Sequence, residues 1–301
     1  MNRIYLQVIF HLITSDLMAQ QDEQISLYQY NQVTFNPSCA GTSGRLICSA
    51  ISRFQWVNFS GAPISQWLSV HSSMLKNRIG IGTNVIRDQI GMRARTGVNL
   101  LLAGGIHLNK NEQVRLGLSI GLDQFHIDLS DAIVMDQNDI LATTHFSTTR
   151  FNAGLGFFYG GKKINFSFSI PRIFPQTTMS KQLNLKLFSP HYYLSASRVF
   201  ELNSTLEWRQ SLLLKYVRNA PITIDLNSTL IVQDHIHFGV LYRIHEAVGI
   251  FGLVKIKEQL KIGYNYDFPI NGLLSYQKGT HEVLLQFELK EKTKEESEPK
   301  F

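Results

Sequence analysis

The stretch Gln113-Val114-Arg115-Leu116-Gly117-Leu118-Ser119-Ile120-Gly121-Leu122-Asp123 alternates without a break between an aliphatic residue and a polar residue or glycine. Successive side chains of a strand point to opposite faces, so a strict period of two predicts one apolar face and one polar face. Working outward, the same alternation returns in 164–170, 236–244, 262–268 and 283–289. Patterns of amphipathic helices are almost absent. Between residues 45 and 289 about fourteen segments read as strands: 45–54, 65–73, 79–88, 94–108, 113–127, 149–160, 163–171, 191–200, 205–218, 221–232, 235–244, 246–256, 259–268 and 279–289.

Composition narrows what such a chain can be. Of its 301 residues 44% are hydrophobic and 17% charged, with 19 Phe, 11 Tyr and 3 Trp, which excludes a disordered chain. No run approaches the roughly 20 apolar residues of a membrane-spanning helix. The segments do match the roughly 9–11 residues of a tilted strand crossing a bilayer, and their number is even, as in bacterial outer-membrane barrels. A soluble sandwich alternates in the same way. The connections favour the barrel: every second one is short (74–78, 109–112, 161–162, 201–204, 233–234, 256–258), and the long ones (55–64, 128–148, 172–190, 269–278) all fall at the other end. The expected fold is therefore all-β, a transmembrane antiparallel barrel of about fourteen strands.

Around the barrel, residues 1–19 read as a signal peptide, with Arg3 ahead of a mostly apolar stretch and Ala19 before the expected cut. Residues 20–44 form a non-periodic aromatic segment, periplasmic or folded into the lumen as a plug. Residues 45–289 are the barrel, and 290–301 a charged tail. The net charge of +6 is spread along the chain, and no basic track suggests nucleic acid.

Motifs of chemistry do not hold up in this context. Gly117-x-Ser119-x-Gly121 lies mid-strand, whereas a nucleophile elbow needs a strand-to-helix turn. Gly80-x-Gly82 and Gly154-x-Gly156 lack the rest of a dinucleotide motif and read as close packing or curvature. His235 and His237 could hold a metal with His281, but read better as interior lining. The acidic loop with Asp128, Asp131, Asp136, Asn138 and Asp139 is incomplete as a calcium site and reads as a solvated loop. Cys39 and Cys48 read as ordinary small residues, with a disulfide between them as the minor alternative. No catalytic residue, cofactor or metal is expected. Two stretches stand out as candidate partner-binding surfaces instead: Tyr28, Tyr30, Phe35, Asn36 and Pro37 before the first strand, and Gln55, Trp56, Phe59, Gly61 and Pro63 in the first long loop.

These stretches carry a resemblance. Gln21-Asp22, Tyr28, Asn31, Phe35-Asn36-Pro37 and Ala40-Gly41, then Arg53-x-Gln55-Trp56, Gly61-Ala62-Pro63 and Ser69-Val70-His71-Ser72, begin an ordered set. It continues through Ile79-Gly80-Ile81-Gly82, Asp88-x-Ile90-Gly91, Thr96-Gly97-Val98 and Leu129-Ser130-Asp131. Gly263-Tyr264-x-Tyr266-Asp267 and Ser275-Tyr276-x-x-Gly279-Thr280-His281-Glu282 close it. The set resembles the PorP/SprF family of outer-membrane proteins associated with type IX secretion in Bacteroidota, over nearly the whole mature chain. The resemblance implies a non-enzymatic barrel in the outer membrane that serves the secretion or gliding machinery. Its expected partners are outer-membrane lipid, a secreted surface protein bearing a type IX C-terminal domain, and periplasmic machinery subunits. The alternative reading is a channel for small-molecule uptake, suited by the glycine- and hydroxyl-rich strand faces; a barrel-borne lipid hydrolase is a distant third.

Overall fold

In the computed structural model, residues 23–75, 77–129, 145–180, 183–272 and 276–290 are described. The expected signal peptide, the charged tail beyond 290, and Asp131, Asp136, Asn138 and Asp139 of the acidic loop lie outside them. Three short 3-10 turns, Tyr28–Tyr30, Gln32–Thr34 and Pro37–Cys39, precede sixteen strands. These are β1 (Arg45–Phe54), β2 (Ile64–Met74), β3 (Ile79–Ile90), β4 (Arg93–His107), β5 (Gln113–Asp128), β6 (His145–Gly160), β7 (Ile164–Ile170), β8 (Gln176–Ser180), β9 (Leu183–Phe188), β10 (His191–Glu201), β11 (Leu206–Val217), β12 (Thr223–Val232), β13 (Ile236–Arg243), β14 (Ala247–Ile256), β15 (Leu260–Pro269) and β16 (Thr280–Lys290).

Fourteen of them form one closed antiparallel barrel, sealed by β1 pairing with β16, and β8 and β9 form a separate hairpin between β7 and β10. The barrel strands follow the predicted segments to within a few residues. The hairpin has no counterpart among the predicted strands: 172–190 reads as a plain loop because its strands are short and lack a sustained period of two. Strand β6 also begins earlier than its alternation suggested, at His145. Its first residues are mostly hydroxylic on both faces, so no apolar period marks them.

Connection lengths are asymmetric, as expected. At the turn end β12 passes to β13 through Gln233 and Asp234, both with positive φ (51° and 57°), the conformation of a type I′ hairpin turn. The loop end carries 55–63, 129–144, 171–190 and 270–279, together with three short links, 91–92, 218–222 and 244–246. Outer-membrane barrels keep tight turns in the periplasm, so the loop end faces outward.

Alternation sorts the side chains. Leu116, Leu118, Ile120 and Leu122 of β5 point outward and are exposed, while Arg115, Ser119 and Asp123 of the same strand are buried. The outward face is apolar around the ring, with aromatic contacts toward each rim: Phe200 with Trp208 at 5.3 Å near the turn end and Tyr192 with Tyr216 at 5.9 Å near the loop end. Such belts are the interfacial anchors of membrane barrels. The inward face departs from the polar-or-glycine expectation. Trp67, Phe125, Phe158, Tyr193, Leu241 and Phe251 are inward and buried, and most of them pack in clusters with other parts of the chain that enter the lumen.

The lipid-facing band gives a direct prediction. Ile120→Arg, mid-strand and outward, should destabilise the barrel by about 2–4 kcal/mol, and Val114→Arg, near the rim, by no more than about 1 kcal/mol. Equilibrium unfolding in lipid vesicles measures the difference.

Candidate functional site: a filled lumen and an open mouth

The filling is the chain's own N-terminal segment. Glu23 lies near the loop end, where its carboxylate accepts from Arg95 Nη1 of β4 at 2.6 Å. Gly44 lies at the turn end, directly before β1. Between them the segment runs the length of the barrel, and each third of it is held by different chemistry.

The outer third rests on ion pairs. Arg53 of β1 donates to Glu282 Oε2, Asp267 Oδ2 and Ser26 Oγ, each at 2.8 Å. The backbone N–H groups of Ser26 and Leu27 donate to the two oxygens of Glu282 at 2.9 and 2.8 Å. Ser26 Oγ also donates to Asp267 Oδ2 at 2.8 Å. Arg53 is 2% exposed and Glu282 0%, so each charge is compensated by direct contact instead of solvent. Beside this cluster Arg243 of β13 makes a two-pronged pair with Asp225 of β12, 2.9 Å on each arm.

The middle third is polar and aromatic. Tyr30 Oη and His237 Nδ1 are hydrogen-bonded at 3.0 Å, Gln29 donates to Thr229 at 3.2 Å, Ser69 donates to Asn31 at 2.9 Å, and Asn84 donates to the Thr34 carbonyl at 3.2 Å. Phe35 stacks on Tyr193 of β10 with ring centroids 5.3 Å apart. Leu27, Tyr28 and Phe35 join the inward Trp67, Phe251 and Leu284 in one hydrophobic cluster.

The inner third fits into glycine notches. Asn36 caps the turn Pro37–Cys39, its Oδ1 accepting from the Ser38 N–H at 3.0 Å, while its Nδ2 donates to the Phe157 carbonyl of β6 at 3.1 Å. Proline at the first position of that turn sets φ without forfeiting a needed donor. Arg115 of β5 donates to the carbonyls of Ser38, Ala40 and Asn77. A methyl carbon placed on Gly80 would lie 1.8 Å from the Ala40 carbonyl oxygen, on Gly117 2.1 Å from the Ser38 nitrogen, and on Gly156 2.1 Å from Asn36 Oδ1. One glycine from each of the three apparent motifs thus leaves the space this segment occupies. Ser119 lies buried on the inner wall.

The remaining sequence candidates separate. His237 binds Tyr30, His235 follows the turn, and His281 faces outward against Tyr264 at 2.6 Å, so the three do not converge. Among the described residues there is no cluster of three or more metal-ligating side chains. Cys39 is buried with the segment and Cys48 lies on β1, and both are free thiols.

An accessible feature lies at the mouth. A cavity of about 650 Å³ opens at the loop end, with Glu23 and Gln24 in its lining together with Gln55, Trp56, Pro63, Arg93, Arg172, Phe188 and Ile222. The first loop folds back over the rim: the Gln55 N–H donates to the Pro63 carbonyl at 3.0 Å and the Val57 N–H to the Gly279 carbonyl at 3.0 Å. Trp56, held at φ 52°, meets Phe59 edge-on at 6.1 Å, and Phe59 remains exposed. Gly61 accepts from the Gly91 N–H at 2.9 Å and so ties two loops together. Of the candidate residues, Gln55, Trp56, Phe59, Gly61 and Pro63 therefore gather at the mouth. Tyr28, Tyr30, Phe35, Asn36 and Pro37 are spent on intramolecular contacts inside the barrel.

Comparison with known proteins fixes the family. The family model of the type IX secretion system membrane protein PorP/SprF matches residues 17–287. The chain belongs to the PorP/SprF family. A comparison with curated proteins finds no match. Among solved structures, the toluene transporter TbuX of Ralstonia pickettii is similar at 7% identity, with 88% of this chain and 93% of that one covered and a TM-score of 0.50. The outer membrane protein Omp33 of Acinetobacter baumannii aligns at 7% identity over 81% and 98% of the two chains, TM-score 0.45. A FadL homologue of Pseudomonas aeruginosa aligns at 10% identity over 81% and 88%, TM-score 0.44. At such identities the TbuX likeness speaks for the outer-membrane barrel fold alone. Family and fold are those of an outer-membrane secretion component and not of an enzyme class.

The charges that hold the PorP/SprF segment are Arg53, Arg95, Arg115, Asp267 and Glu282, with the Arg243–Asp225 pair beside them, and none is among the residues singled out from the sequence as a site. The signal was present, since each sits on the polar phase of its strand, and Arg53 stands opposite Glu282 in register. Removing one partner of the buried set, as in Arg53→Met, should cost about 3–5 kcal/mol by leaving Glu282 without its cation. Denaturant unfolding would detect it, and Arg45→Met, whose pair with Glu288 is part-exposed, should cost no more than about 1 kcal/mol.

Proposed function

We propose that this PorP/SprF protein is a non-catalytic docking barrel of the type IX secretion and gliding machinery, holding a secreted surface protein at its outward mouth. The observation that carries the reading is the division of labour along the lumen. The interior is occupied by the chain's own segment, hydrogen-bonded to a buried ion-pair cluster of the wall, while concave and aromatic surface remains open at the loop end. An anchor needs a rigid barrel and a shaped rim, and a wide aqueous bore would be surplus to it. Trp56 and Phe59 supply the aromatic area typical of strong interface contacts. The family favours a partner bearing a type IX C-terminal domain, with periplasmic subunits meeting the turn end.

Affinity capture of the tagged full-length protein from detergent-solubilised envelopes tests this. It should recover a secreted protein carrying that domain, and the double variant Trp56→Ala, Phe59→Ala should lower recovery at least tenfold while the barrel still migrates as folded. Unchanged recovery by the variant would move the docking surface elsewhere, and absence of any such protein from the wild-type eluate would overturn the reading.

A further inference from the structure

The space left beside the N-terminal segment is divided. A narrow cavity of about 60 Å³ reaches from Trp67 and Ile86 on the β2–β3 wall to Tyr193 and Leu213 on β10 and β11, with Tyr28 and Phe35 of the segment in its lining. It shares Arg95, Arg172 and Thr223 with the mouth cavity above. Toward the turn end a second chamber of about 360 Å³ is lined by Ser195, Ser197, Ser211, Lys162, Glu201 and Arg209. Tyr28 lies on both.

Tyr193 and Ser195 are consecutive inward residues of β10, and Leu213 and Ser211 of β11. Two residues of strand rise only about 7 Å, so the partition is one layer of side chains thick. That layer is apolar. Phe35 stacks on Tyr193 at 5.3 Å and 28°, and Tyr28 meets Phe35 edge-on at 6.5 Å. An apolar constriction between two polar compartments blocks ions by excluding water, without filling the bore completely.

We propose that the lumen carries a gated path for small hydrated ions and solutes between the N-terminal segment and the inner faces of β10 and β11, and that the layer of Tyr28, Phe35, Tyr193 and Leu213 is its gate. The path does not require the segment to leave the barrel, because Arg53 of β1 and Glu282 of β16 hold Ser26 and Leu27 from the other side. The gate is also in contact with the mouth. Tyr193 stacks on His191 at 6.3 Å, His191 on Phe188 at 5.7 Å, and the Arg172 guanidinium lies 3.7 Å above the Phe188 ring. Movement of Phe188 at the mouth is thereby passed down a column of rings to the gate. This inference does not rest on the docking reading.

Current across a planar bilayer containing the purified full-length barrel tests it. The wild type should be closed, and Phe35→Ala with Tyr193→Ala should raise the steady current at least tenfold. Leu213→Asn, which keeps the branched four-atom skeleton and is remote from the segment's tethers, should wet the layer and raise the current in the same direction, which keeps the test valid if the double variant does not fold. Phe251→Ala, on the β14 side where Tyr30 is hydrogen-bonded to His237, should stay closed. The proposal is overturned if folded Leu213→Asn is as tight as wild type, if the wild type conducts as freely as the variants, or if Phe251→Ala opens equally.

Discussion

The Arg53 guanidinium is the contact on which the rest depends. It touches one carboxylate from β15, another from β16 and the Ser26 hydroxyl of the N-terminal segment, while its own backbone belongs to β1. One side chain thereby joins the two strands that close the barrel to the segment that fills it. Buried ion pairs add little net stability compared with a well-packed apolar core, because desolvation consumes most of the attraction. What this one contributes is placement. A slip of one residue between β1 and β16 would turn Glu282 toward lipid and leave Arg53 in the lumen without its partner.

A barrel of fourteen strands is wider than its own side chains can fill, so its interior must hold water, a ligand or protein. Here protein fills it, and both surfaces adapt. The wall places Trp67, Tyr193 and Phe251 where a water-filled bore would have hydroxyls, and the segment lays Leu27, Tyr28 and Phe35 against them. Lower down the roles reverse: Gly80, Gly117 and Gly156 remove side chains from the wall so that a backbone can pass at contact distance.

Most of the architecture was legible because a membrane barrel writes its faces into the chain at a period of two. Residues such as Leu116 and Leu118 against Arg115 and Gly117 state which side meets lipid, and no tertiary context is needed to read them. The hairpin β8–β9 was not legible, since short strands over a rim carry no such period. The site was legible by type and not by place. The aromatics from Tyr28 to Phe35 were conspicuous, yet nothing local says whether they face a partner or the chain's own interior. The answer lies in Arg53, Asp267 and Glu282, whose convergence exists only after residues more than 200 positions apart are brought together. Conversely, Gly117 and Gly156 drew attention through motifs that required helices, and their purpose appears only with Ser38 and Asn36 beside them.

The direction of the N-terminal segment bears on how the molecule is made. Glu23, its first described residue, sits at the mouth, and its inner end runs through Gly44 straight into β1. A ring already closed would admit it only by drawing more than twenty residues lengthwise past Arg115 and Arg53. A sheet still open at the β1–β16 seam can instead curl round it, gaining contacts strand by strand until Glu282 arrives and binds Ser26, Leu27 and Arg53 at one time. The segment then acts as a mandrel, and the bonds that lock it in place are the same ones that close the last seam of the wall.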